Sequence, residues 1–151
     1  MLSVEGPAGL KELVGQHIGW SDWETVTQEQ VNLFAEATGD HQWTHVDVER
    51  AKKESPFGGP IAHGYLTLSL LPYLLPKMWH VGGFSMGVNY GTEKVRFPSP
   101  VPVGSQVRCG AAVDSVDDIA GGVQVTLTGT IEVVGAPKPS CVAQVVYRYY
   151  V

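Results

Sequence analysis

Directly after Gly39 the chain reads Asp40-His41-Gln42-Trp43-Thr44-His45, which places one carboxylate and two imidazoles within six residues. A carboxylate and an imidazole that converge on one water can polarise it and move its proton. Asp also caps turns, and a single His is commonly structural or solvated, so the pair alone leaves both readings open. A second segment, Pro60-Ile61-Ala62-His63-Gly64, leads into a strongly apolar stretch. Backbone N–H groups at a helix start have no acceptor within the helix and carry partial positive charge. Gly64 has no side chain, so a ligand oxygen can approach its N–H closely. That arrangement suits a carbonyl gaining negative charge, and tight helix packing explains the same glycine.

The elements that must position these groups follow from pattern. Residues 17–25, with Ile18, Trp20 and Trp23, read as a first strand after a glycine-interrupted lead-in over residues 1–16. Thr27 with Gln30 has capping-box spacing, Val31, Phe34 and Ala35 recur at helical spacing, and Gly39 stands where a helix stops. Asp40 therefore falls just past a helix end, and residues 40–46 read as a loop. Asp47 can cap a short helix through about Lys53, and residues 55–60 form a loop by composition. Residues 61–75 read as one helix, apolar nearly all round and so buried, with Pro72 kinking or ending it.

Beyond residue 83 the period changes to two. Strands are expected over 84–97, 105–116, 122–134 and 140–150. Val123, Val125, Leu127, Ile131 and Val133 alternate with Gln124, Thr126, Thr128, Thr130 and Glu132. A strand, two or three helices and about four long antiparallel strands make an α+β chain whose sheet wraps a buried helix. An open sheet has edges to protect, which makes a homodimer plausible.

Composition narrows the function classes. A chain of 151 residues with 44% hydrophobic and 17% charged residues suits a single globular domain spanning 1–151. A net charge of -5 lacks the basic stripe of a nucleic-acid binder. Met1 to Glu5 has no basic n-region, and the apolar stretch from Ile61 is too short and interrupted to span a membrane, so a cytoplasmic protein is expected. Cys109 and Cys141 lie in alternating apolar segments and read as small core residues.

From Phe34 to Ala51 the chain resembles the signature of the (R)-specific enoyl-CoA hydratases, the MaoC-like dehydratase branch of the hot-dog fold. Phe34, Gly39, Asp40, His45 and Ala51 stand at matching spacing. The chain departs from the signature at Gln42-Trp43-Thr44, where Asn-Pro and an aliphatic residue are usual. Pro60-Ile61-Ala62-His63-Gly64, Asn89-Tyr90-Gly91, Val95-Arg96-Phe97-Pro98 and Val101-Pro102-Val103-Gly104 extend the resemblance over nearly the whole chain.

The resemblance implies an antiparallel sheet of about five strands around a central helix. It implies reversible hydration of a trans-2-enoyl thioester to the (R)-3-hydroxyacyl thioester, on coenzyme A or acyl carrier protein. Asp40 then acts as base toward the water, His45 orients it and shares in proton delivery, and Gly64 supplies the oxyanion hole. No cofactor and no metal are expected, although Asp40, His41, His45 and His63 are ligand types. Tyr90 and Trp43 are candidates for the acyl pocket or for core packing. His63 is a candidate to orient the oxyanion turn or to serve as a buried structural residue. Arg96 and Lys94 can meet carrier phosphates, or Lys94 can belong to a solvated strand. His41 reads as an exposed loop residue. A thioesterase on the same fold and a non-catalytic acyl-thioester binding module are the rival readings.

Overall fold

A computed structural model describes residues 1–151. In chain order it contains β1 (Leu2–Glu5), α1 (Gly6–Glu12), β2 (His17–Trp20), β3 (Glu24–Thr25), α2 (Gln28–Thr38), α3 (Trp43–Val46) and α4 (Val48–Glu54). There follow α5 (Gly64–Ser69), α6 (Leu71–Leu74), a 3-10 turn (Leu75–Lys77), β4 (Trp79–Gly82), β5 (Met86–Arg96), β6 (Gln106–Ile119), β7 (Gly122–Val133) and β8 (Cys141–Tyr150). The main sheet has six strands in the order β2-β6-β7-β8-β5, with β3 also pairing β6, and every pairing is antiparallel. This is the expected α+β architecture, its first strand divided into the two short pieces β2 and β3.

The period-2 pattern fixes which face of the sheet is covered. Along β7 every second residue from Val123 to Val133 is buried, and the residues between are partly exposed. Cys109, Ala111 and Val113 of β6 and Cys141, Ala143 and Val145 of β8 lie on the same inner face. Leu66, Leu70, Leu71, Leu74 and Leu75 pack onto it. Each such buried leucine contributes roughly 1.5–3 kcal/mol. Gly129 opens the sheet to α6: a Cβ there would stand 2.9 Å from Leu71 Cδ2.

Three expectations need correction. Residues 61–75 do not form one helix. Ile61 and Ala62 are extended, with the Ile61 N–H donating to the Thr44 carbonyl and the Ala62 N–H to that of Val101, so the helix starts at Gly64. Leu70 separates α5 from α6, and Pro72 sits in the first turn of α6, where its missing N–H costs nothing. The stretch is not buried all round either, because Tyr65 is 71% and Tyr73 50% exposed. Residues 1–16 are more than a lead-in: β1 pairs in parallel with β4, and α1 follows it.

The predicted caps hold. Thr27 Oγ1 accepts from the Gln30 N–H at 3.1 Å. Asp47 Oδ1 accepts from the Arg50 N–H at 3.1 Å. Gly39 ends α2 at φ 83, a left-handed conformation that favours glycine. No helix is long and apolar enough to cross a membrane.

Both cysteines are fully buried and unpaired. Loss of hydration pushes the Cys109 thiol up to about 12, with the neighbouring Cys141 adding to the shift, and pushes Cys141 up to about 11. In the unfolded chain both ionise near 9.0. The stability tied to keeping them neutral is therefore present below that pH and is lost as pH rises toward 11–12. Ellman's reagent at pH 8 should find no reactive thiol in the folded protein and two after denaturation; rapid native reaction would contradict the burial.

Candidate active site

The site is assembled from two segments that meet in front of α2. The first is the turn after α2 together with α3. Gly39 turns the chain, and the Asp40 carboxylate accepts the Gln42 N–H at 3.3 Å, which closes an Asx-type turn. Residues 42–46 then wind into α3, where a loop was expected. The cause is tertiary: Gln28 Nε2 donates to the His45 carbonyl at 2.8 Å, and the Thr44 carbonyl takes the Ile61 N–H at 3.0 Å. Local sequence carries little helix signal over four residues.

The second segment runs from Pro60 to Gly64. It is stitched to residues 101–103 by the Ala62 N–H to Val101 carbonyl bond and the Val103 N–H to Pro60 carbonyl bond. The two segments exchange histidine bonds. His45 Nδ1 lies 2.7 Å from the Ile61 carbonyl, and His63 Nε2 lies 3.0 Å from the Asp40 carbonyl. A carbonyl oxygen only accepts, so each of those nitrogens carries a proton. In the neutral rings His45 Nε2 and His63 Nδ1 are then free acceptors. His63 Nδ1 is buried without a partner.

The rings themselves stack. His45 and His63 have centroids 3.9 Å apart at 25°, and the Phe34 ring of α2 lies tilted against His63 at 4.8 Å. His45 is 8% exposed and His63 2%, while Asp40 lies open. One potential ligand atom from each of Asp40, His45 and His63 falls within 4.8 Å of the others. One water can bridge groups at that separation. The same three groups suit a metal less well. A metal needs lone pairs that converge on one point, and stacked imidazoles hold their in-plane lone pairs side by side.

Gly64 is the first residue of α5, so its N–H has no acceptor within the helix. It borders a cavity of about 330 Å³ whose wall includes Phe57, Ile61, Thr67, Phe97 and Ser140. Asp40 and His45 are not in that wall; Ile61 joins the two, lining the cavity while its carbonyl holds His45. A Cβ at Gly64 would stand 3.3 Å from the Phe97 ring. Close packing and an open N–H thus coexist at this glycine.

The other expected residues are placed less uniformly. His63 joins the cluster directly. Trp43 is on α3, its ring under the Arg50 guanidinium at 4.2 Å. Tyr90 lies on the outer side of the sheet beneath Arg148, 3.5 Å from guanidinium carbon to ring centroid. Arg96 is exposed on the same outer side. His41 is exposed near Glu36. Gln28 and the Ile61 carbonyl both hold the His45 residue in place, and neither carries a local sequence signal of its partner.

Residues 10–134 match the family model described as MaoC like domain. The 3-hydroxyacyl-thioester dehydratase Z of Mycobacterium tuberculosis is 53% identical over 150 residues, covering 99% of this chain and 99% of that protein. Among solved structures, the (R)-hydratase from A. caviae involved in PHA biosynthesis superposes with a TM-score of 0.71 at 26% identity, covering 89% of this chain and 94% of that one. A monoamine oxidase regulatory protein from Archaeoglobus fulgius reaches 0.79 at 24% identity, covering 99% and 98%, a likeness of fold.

The paired carbonyl bonds dictate the tautomers. Long-range ¹H–¹⁵N correlation spectra at a pH where both rings are neutral should show His45 protonated at Nδ1 and His63 at Nε2. The reverse assignment at either ring would mean that the two segments are not clasped as described.

Proposed function

The chain belongs to the MaoC-like dehydratase family, and from that premise we propose that it interconverts (R)-3-hydroxyacyl thioesters and trans-2-enoyl thioesters by removing and adding water. The observation that carries this reading is the meeting of Asp40 and His45 within one water's span, with His45 Nε2 left free because Nδ1 is held by Ile61. The identity to a 3-hydroxyacyl-thioester dehydratase over 99% of both chains supports the substrate class.

In the hydration direction the water donates to an Asp40 oxygen and to His45 Nε2. Its oxygen forms the bond to C3 as one of its protons passes to the pair. The electrons of the C2–C3 double bond move toward the thioester carbonyl, whose oxygen gains enolate charge against the Gly64 N–H. The pair then returns a proton to C2, so one water is consumed and the pair is regenerated. The proton belongs to the coupled pair rather than to Asp40 alone. Dehydration runs the same steps backward. His63 acts through its neighbours: it holds the Asp40 backbone and backs the His45 ring. No step calls for a cofactor.

The sheet supports a homodimer. β5 is eleven residues long and ends the sheet, with one side unpaired. Met86 and Tyr90 on it are 54% and 57% exposed. Two copies joined along β5 would cover both edges. We read residues 1–151 as one domain and place its work in the cytoplasm.

Asp40→Asn and His45→Gln should each lower kcat for hydration by about 10²-fold or more, with unchanged circular dichroism. The check is loss of the enoyl thioester chromophore, with chiral analysis of the product and a parallel assay for free thiol. A variant that keeps most of its rate, or release of thiol in place of hydration, would overturn the mechanism. Light scattering should give a mass twice that of the chain; a monomer at micromolar concentration would remove the β5 pairing.

A further inference from the structure

Two buried side-chain polar atoms of this protein have no protein partner: Gln28 Oε1 and His63 Nδ1. Most buried polar atoms are hydrogen-bonded, because leaving one unpaired costs stability. Both orphans belong to side chains that hold the site. His63 Nε2 donates to the main-chain carbonyl of Asp40, and Gln28 Nε2 donates to that of His45. Each member of the water-activating pair thus has its carbonyl gripped by a side chain whose second polar atom is buried and unpaired.

The Gln28 amide has one orientation that works. Its nitrogen faces the His45 carbonyl at 2.8 Å and Asn32 Oδ1 at 2.9 Å. A main-chain carbonyl only accepts, so the amide nitrogen and not the oxygen must point at it. Asn32, one turn further along α2, takes the proton that His45 does not. Both amide protons are then used, and the oxygen is left over.

The grip has a geometric consequence. α3 has four residues, too few to hold its own conformation. His45 is therefore located by bonds from outside: ring Nδ1 on the Ile61 carbonyl, and its own carbonyl on Gln28. Gln28 is the first residue of α2, and Asp40 follows the Gly39 that ends it. Eleven helical residues make a rod about 16 Å long. That rod sets Asp40 from its C-terminal end and His45 from its first turn. Gln28 does not line the cavity at Gly64, so a substrate there does not touch it.

We infer that Gln28 is a positioning residue for the reaction. It makes α2 the common reference for Asp40 and His45 and so fixes the gap that the shared water bridges. Asn32 serves it by orienting the amide. The role rests on the dehydratase reading proposed above. Reacting groups displaced by about 1 Å can lose a large part of their rate, which is why a side chain remote from the substrate matters to turnover.

The test follows dehydration by the full chain on a 3-hydroxyacyl thioester that wild type turns over. Gln28→Met removes both donors at nearly constant shape. It should lower kcat about tenfold and leave KM within about twofold. Gln28→Glu sets an acceptor against the His45 carbonyl and should lose at least as much. A kcat for Gln28→Met within about twofold of wild type, or a loss carried by KM alone, overturns the role. Asn32 is exposed, so its variants decide if Gln28→Met fails to fold. Asn32→Leu frees the amide and should lower kcat, and Asn32→Asp, which keeps an acceptor, should recover most of that loss. Equal kcat in the two Asn32 variants overturns the role. Solvent exchange of the His45 Nδ1 proton, followed by NMR, needs no turnover. It should be about tenfold faster in Gln28→Met, because the ring is held through its main chain; an unchanged rate overturns the role. Absence of turnover in wild type with every thioester would instead count against the dehydratase reading, and the exchange rate alone would then judge Gln28.

Discussion

Two crossed hydrogen bonds hold the site together. His45, on the segment after α2, donates to the carbonyl of Ile61, and His63, on the segment before α5, donates to the carbonyl of Asp40. Each segment thus supplies the imidazole that fastens the other. Each bond also spends the one proton of a neutral ring, which decides what the remaining nitrogen can do. Net hydrogen-bond energies of about 1 kcal/mol are small, but the burial of both rings raises the cost of breaking either bond. Each ring is left with one nitrogen that the clasp does not use, in a cluster where one ligand atom each of Asp40, His45 and His63 lies within 4.8 Å of the others.

That clasp would be useless on a mobile support. The 60–64 segment is bonded on one side to α3 and on the other to residues 101–103. Downstream, α5 and α6 press their leucines into the inner face of β6, β7 and β8. Gly129 lets Leu71 approach the backbone of β7 more closely than any side chain would allow. The break at Leu70 is tolerated because Pro72 begins the second helix rather than interrupting the first. The sheet thereby fixes the position of Gly64, and the crossed bonds transmit that position to Asp40 and His45.

The parts legible in the sequence were those specified locally. Thr27, Gly39 and Asp47 announce helix boundaries through their own side chains or backbone conformation, and the alternation along β7 reports its buried face residue by residue. What escaped was specified at a distance. α3 depends on Gln28 and Ile61, so residues 40–46 resemble a loop when read alone. Ile61 and Ala62 look helical by composition and are extended because Thr44 and Val101 claim their N–H groups. Alternation also cannot tell which side of an edge strand faces a site, and Tyr90 and Arg96 accordingly lie outside the cluster. The ring contacts of His63 with both Phe34 and His45 join three segments, and no window of sequence contains all three.

The same distinction bears on Gln42-Trp43-Thr44, where the chain departs from the Asn-Pro-aliphatic signature. Trp43 occupies the first position of α3, with Gln42 as its N-cap. Proline fits that position because the N–H it lacks has no helical acceptor there. Tryptophan takes that position here without fixing the backbone as proline does, and the tertiary bonds to His45 and Thr44 supply a constraint. Gln42 contributes to Asp40 through its backbone N–H, which does not depend on its side chain. Thr44 likewise acts through its carbonyl. The substitutions therefore change the surface beside the site, where the Trp43 ring lies under Arg50, and leave intact the backbone contacts that hold Asp40 and His45.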